Sequence, residues 1–329
     1  MKPLWDDVNA RTRGLASHLL GAKRLQDLGN VVGLKELVTR LERAGVYLAL
    51  DPALLTAPVV EAGLRRDAGR KLLLLARWCG RRREILQIVF EEEDHRSLRA
   101  LLRGAVGAVP PELRLDGLIP TPALPARALE ELAHLADVRA IGAVLASWNS
   151  PYAGVIRRRD HRVTDLFQLE VDLAREFLGR SLAAARRGDR VLQAYTRLVV
   201  DLVNLRSALV LGSESHEQTP DQCFIPGGER VTLDRYRKAA TSGSAAEAGR
   251  LGRALLGPFD DPADLEDAIL ALLLRETRSA ARLLPLSTAP VLLYALSLRS
   301  ELRHLQRLVW GLALGAPAPA VSAALAPGP

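Results

Sequence analysis

Asp94-His95-Arg96-Ser97-Leu98-Arg99 returns twice in altered form, as Asp201-Leu202-Val203-Asn204-Leu205-Arg206 and as Glu301-Leu302-Arg303-His304-Leu305-Gln306. Each copy is an acid followed four residues later by leucine, a spacing that puts both side chains on one helix face. The copies stand 107 and 100 residues apart, about a third of the 329-residue chain, and a glycine (Gly104, Gly212, Gly311) closes each. One element recurring at that interval predicts three similar units, the plan of a scaffold or adaptor more than of a one-pocket enzyme.

The flanking sequence repeats with it. A helix breaker precedes each acid: Gly80 by 14 residues, Gly188 by 13 and Pro285 by 16. Leu118-Ile119-Pro120 follows the first copy and Phe224-Ile225-Pro226 the second, 106 residues later. The reading is a pair of long helices per unit. The first pair covers about 58–79 and 85–104, the second about 160–187 and 189–212. The third covers about 262–284 and 291–314, with Pro285 and Pro290 marking the break. Residues 4–28 read as an opening helix, and Leu34, Leu37, Val38 and Leu41 as a one-sided one. The expected units are 1–118, 119–225 and 226–315, with 316–329 an Ala/Pro-rich tail too poor in large apolar residues to order itself.

Composition agrees with an all-α fold. The chain is 48% hydrophobic, only 4% aromatic, and dominated by Leu, Ala and Arg, which favour helices. The net charge of +7 and a pI near 9.8 favour acidic partners of some kind: protein, nucleic acid or anionic lipid. Cys79 and Cys223 form no CxxC pair and read as idle thiols of a reducing compartment. The N-terminus turns acidic at Asp6-Asp7, unlike a signal peptide, and no run reaches the roughly 18 to 20 apolar residues of a membrane span.

Few residues propose chemistry. Asp260-Asp261-Pro262-Ala263-Asp264 spells DDxxD, and on a helix Asp260 and Asp264 could chelate Mg²⁺ for a prenyl diphosphate. Asp261 as N-cap with Pro262 at the first helical position explains the same letters structurally. No HExxH, Walker A, dinucleotide fingerprint or GxSxG pattern is present. Arg81-Arg82-Arg83 and Arg157-Arg158-Arg159 are the densest basic runs. They fit a solvated face, a patch for an acidic protein, or phosphate contacts, though the aromatics and helix-turn-helix pattern of nucleic-acid binders are missing.

Over residues 5–315 the chain resembles the C subunit of the bacterial and archaeal V/A-type rotary ATPases, the counterpart of the d subunit of eukaryotic V-ATPases. Four places carry the resemblance. They are Val8-Asn9-Ala10-Arg11-Thr12-Arg13, Asp94 to Leu102, Val200 to Arg206 followed by Phe224-Ile225-Pro226-Gly227-Gly228, and Ala295 to Pro317 with Glu301, Arg303 and Gly315. Val8 stands where the family commonly has an aromatic, and the first copy lacks an asparagine matching Asn204. The resemblance implies three helical units around a pseudo-three-fold axis, forming a funnel. It also implies a non-catalytic, cofactor-free component that caps the rotor ring of proteolipids, holds the foot of the central shaft and passes torque between them. That place is cytoplasmic, peripheral on the inner face of the cell membrane, with no nucleic-acid partner.

Under that reading the two arginine runs are the expected partner contacts. Asp94, Asp201 and Glu301, with Leu98, Leu205 and Leu305, are expected to brace helices within each unit. Arg197 and Arg206 stand near Asp201, Arg99 near Asp94, and Arg299 and Arg303 near Glu301. Two other readings stay open: a free-standing α-helical scaffold with a basic face for protein or nucleic acid, and the Mg²⁺-dependent prenyl-diphosphate enzyme built on Asp260, Asp261 and Asp264.

Overall fold

A computed structural model describes residues 4–158, 166–213, 218–241, 243–258 and 264–317. Every regular element among them is helical. The first third holds α1 (Asp6–Ala16), α2 (Ala22–Leu28), α3 (Leu34–Arg43), α4 (Ala57–Cys79) and α5 (Gln87–Val106). The short α6 (Pro111–Arg114), α7 (Ala126–Ala133), α8 (Val138–Ser147) and α9 (Ala153–Arg158) lead to the long α10 (Leu166–Ala185) and α11 (Arg190–Ser213). After α12 (Pro220–Cys223), α13 (Leu233–Ala240) and α14 (Ala245–Leu256), the described chain ends in α15 (Leu265–Leu283) and α16 (Ala289–Ala313).

The three pairs of long helices fall where the sequence pattern puts them, as α4/α5, α10/α11 and α15/α16. The opening helix does not: it breaks between Ala16 and Ala22. The Ser17 hydroxyl donates to the Gly14 carbonyl at 2.7 Å, and His18 and Leu19 bond three residues back, tightening and ending the turn. Pro290 lies in the first turn of α16, where its missing N–H costs nothing, and so belongs to the helix and not to the break.

The closing glycines also have another role. Helices α5, α11 and α16 run past Gly104, Gly212 and Gly311. A Cβ on Gly104 would lie 2.7 Å from Arg114 Cγ, and one on Gly212 would lie 2.6 Å from the Ala239 carbonyl oxygen. These two glycines let a neighbour approach. The stop after α16 is Gly315, in the left-handed region at φ 68°, with Ala316 N–H donating to the Gly311 carbonyl at 2.8 Å.

Packing runs in a closed circuit. α5 packs on α10, α10 on α11, α11 on α15, α15 on α16, and α16 on α4, which leads through the 80–84 turn back into α5. One apolar cluster extends from Trp5 to Val309 through all of them. Leu98, Leu205 and Leu305 are completely buried in it. Close-packed interiors of this kind transmit strain with little give.

Candidate functional site

The repeated acids are buried, and each holds a segment from beyond its own helix. Asp201 accepts three backbone N–H groups, from Glu229 at 3.1 Å, Arg230 at 2.9 Å and Val231 at 2.8 Å. One turn further on, Asn204 pairs with Ile225 in both directions, donating to its carbonyl at 2.8 Å and accepting its N–H at 2.9 Å. Asp94 accepts the Thr121 hydroxyl, just after Ile119-Pro120. Glu301 accepts the Leu20 N–H and meets Lys71 Nζ on α4 at 3.3 Å. The acids therefore reach across the expected unit boundaries instead of bracing their own unit, and the third reaches back to the first.

The arginines expected beside these acids have other partners. The residue five positions after each acid bonds a glutamate on the first long helix of the next third. Arg99 on α5 meets Glu170 on α10 at 2.9 Å, and Arg206 on α11 meets Glu266 on α15 at 2.7 Å. Gln306 on α16 meets Glu61 on α4 at 2.8 Å. Sequence reasoning does not single out Glu61, Glu170 and Glu266. A signal exists: they stand 33, 31 and 35 residues before Asp94, Asp201 and Glu301.

Between α5, α11, α15 and α16 lies a cluster of ion pairs. Arg299 Nη1 donates to Glu92 at 2.7 Å and Arg299 Nε to Glu93 at 2.6 Å. Tyr195 on α11 reaches Glu92 at 3.5 Å, and Arg96 lies 3.6 Å from it. Arg303 pairs with Asp267 at 2.6 Å, and Arg307 joins the same carboxylate. The heads of Glu92, Arg96, Arg206, Glu266, Arg299 and Arg303 surround a void of only about 10 Å³. Burial works against the Arg299 charge, but Glu92 and Glu93 more than offset it and hold the guanidinium protonated. Burial likewise opposes the Glu92 charge, yet Arg299 and Arg96 keep its pKa below the usual carboxylate range. Such a cluster links four helices through bonds that cannot slide without exposing a charge.

Asp94 has the opposite environment. Burial pushes its pKa up to about 7, opposed by the Thr121 bond and supported by Glu91 and Glu93. It lines a cavity of about 560 Å³ with Phe90, Glu91, Trp148, Tyr152 and Arg180. His95, beside it, stacks on Phe177 at 5.1 Å and is held neutral chiefly by burial.

The basic runs divide. Arg82 grips Asp7 through two bonds of 2.7 Å, donates to the Leu4 carbonyl at 2.6 Å and lies over the Trp5 ring. It is part of the fold. Arg81 and Arg83 are exposed and form no ion pair among the described residues. Arg157 and Arg158 are exposed at the end of α9, while Arg159 lies outside the described residues. Asp260 and Asp261 also lie outside them. Asp264 is exposed and directly precedes α15. Among the described residues no group of three or more His, Cys, Asp or Glu side chains is placed to hold a metal ion. No helix there is long and apolar enough to cross a membrane.

A family model described as "ATP synthase (C/AC39) subunit" matches residues 8–321, nearly the whole chain and a few residues into the Ala/Pro-rich tail. No curated protein matches.

Proposed function

The chain belongs to the ATP synthase (C/AC39) subunit family, and from that premise we propose that it is the central-stalk subunit of a V/A-type ion-translocating ATPase or ATP synthase. In this reading it performs no catalysis. It seats the rotor shaft on the membrane ring of proteolipids, at the cytoplasmic face of the membrane, and carries torque from one to the other.

The observation that carries the proposal is the closed circuit of long helices within a chain matched along its length by that family. Arg99–Glu170, Arg206–Glu266 and Gln306–Glu61 join each third to the next in the same sense. We read them as the seams of three related units, 1–118, 119–225 and 226–315, arranged around a pseudo-three-fold axis as a funnel. A torque coupler must resist twisting about such an axis. Seams that each hold a carboxylate, together with the Glu92–Glu93–Arg299 cross-brace, supply that resistance. Arg81, Arg83, Arg157 and Arg158 are exposed and available to acidic partner surfaces.

An affinity-tagged chain purified from its native membranes tests this. Recovery of a P-loop ATPase head together with a proteolipid ring is the expected result. A tagged chain that comes away as a soluble monomer with neither would contradict it and favour a free-standing scaffold.

A further inference from the structure

Three turns and the start of α1 meet at one end of the molecule. Arg82 in the 80–84 turn holds Asp7 and the Leu4 carbonyl. Asn9 donates to the Pro285 carbonyl at 3.2 Å and the Ser287 carbonyl at 2.9 Å, and Arg13 adds a bond to Pro285 at 3.3 Å. Thr288 donates its N–H to Asp189 at 2.7 Å and its hydroxyl at 2.8 Å. Arg187 returns to the Glu84 carbonyl at 3.4 Å. These contacts close a collar that joins the breaks before α5, α11 and α16.

The collar carries four exposed leucines in a chain that buries most of its leucines. Leu4, Leu283, Leu284 and Leu286 are 71%, 77%, 52% and 66% exposed. Leu284 and Leu286 flank Pro285, whose carbonyl is fixed by Asn9 and Arg13, so they project from a braced turn. None of them lines the cavity beside Asp94 or the one beside Gly228. The same turns and their flanks carry the exposed Arg81, Arg83, Arg186, Arg187 and Arg282, against the exposed acids Asp6 and Glu84, the latter 3.8 Å from Arg187, and an Asp7 already paired with Arg82. Exposed leucines on turns that also carry exposed cations mark an interaction site. Because they protrude from a braced turn, a deformable medium suits them best.

We propose that this collar is a membrane-surface anchor: Leu283, Leu284 and Leu286 enter the headgroup–acyl boundary while Arg81, Arg83, Arg186, Arg187 and Arg282 meet the phosphates of anionic lipids. Leucines supply apolar burial and arginines supply attraction to negative headgroups, the two contributions that peripheral attachment requires. The anchor goes beyond the torque reading, since its ligand is lipid and not the proteolipid ring.

Flotation of the purified full-length chain with vesicles tests it. One set is phosphatidylcholine alone and the other contains phosphatidylglycerol. The chain should float with the anionic vesicles and much less with the neutral ones, and high salt should release it. R81E/R83E and L284E/L286E should each weaken binding by roughly tenfold or more, while the melting temperature stays that of the parent because all four residues are exposed. Absence of vesicle binding by the parent chain overturns the anchor, as does parental binding by both variants. If the parent never floats but L284E/L286E loses the proteolipid ring on purification, the collar is a protein contact and the anchor is wrong. The torque reading fails separately, when vesicle binding persists but no ATPase components co-purify.

Discussion

Gly228 lies so close against Asp201 that a Cβ at 228 would overlap the Asp201 carboxylate. That carboxylate is the acceptor for three successive N–H groups at 229–231. Asp201, Asn204 and Gly228 are therefore one clasp between α11 and the segment leading to α13. Asp201→Ala strands buried donors and should cost about 2–4 kcal/mol. Gly228→Ala should cost a comparable amount. In the double variant the alanine at 228 has room, so urea unfolding should show a loss well below the sum of the two. Simple additivity would contradict the clasp.

Arg299 is the main cation that keeps Glu92 ionised against its burial, and it also pairs with Glu93. Arg299→Ala leaves the two carboxylates with only their longer contacts to Arg96, a loss of about 3–5 kcal/mol at neutral pH. The damage should lessen as pH falls, because protons can then replace the missing guanidinium. Unfolding free energies of parent and variant at pH 5 and pH 8 check both points. A loss that does not depend on pH would show that the pairs contribute through packing alone.

Asp94 has a folded pKa raised from 3.8 to about 7. Between those values the folded state holds a proton that the unfolded state has released. Its contribution is thus fully present below about 4 and is lost as pH rises through about 7. Asp94→Asn mimics the protonated form at every pH. Its melting temperature relative to the parent should therefore rise from pH 5 through about 7 and level off above that. A constant difference over that range would show that Asp94 does not titrate there.

Arg81, Arg82 and Arg83 are adjacent letters with different duties. Arg82→Ala should lower stability by about 1 kcal/mol through loss of the Asp7 and Leu4 bonds. Arg81→Ala and Arg83→Ala should stay within about 0.5 kcal/mol of the parent. Thermal melts of the three single variants decide this, and equal losses at all three would refute the division.

The long helices are legible because their periodicity is strong and their breaks carry Gly80, Gly188 and Pro285. Adjacent letters mislead where tertiary partners decide. Arg206 sits five residues from Asp201 yet spans to Glu266, because residues five apart on a helix do not share a face. Gly104 and Gly212 look like helix stops, but what they accommodate, Arg114 and the Ala239 carbonyl, lies on other elements. Glu61, Glu170 and Glu266 form a series only in their spacing to the repeated acids, since a lone glutamate in a helix carries no local signal. The Leu283–Leu286 exposure cannot be read from the letters at all: this apolar stretch looks like core until Asn9 and Arg13 are seen holding its turn outward.

The proposed role is to couple a shaft to a membrane ring. The most direct test is ATP-driven ion uptake, measured beside ATP hydrolysis in membrane vesicles from cells lacking the chain. Uptake should be abolished, the catalytic head should still hydrolyse ATP once released, and adding back the purified chain should restore uptake. Ion uptake at the parental level without the chain would contradict the coupling role.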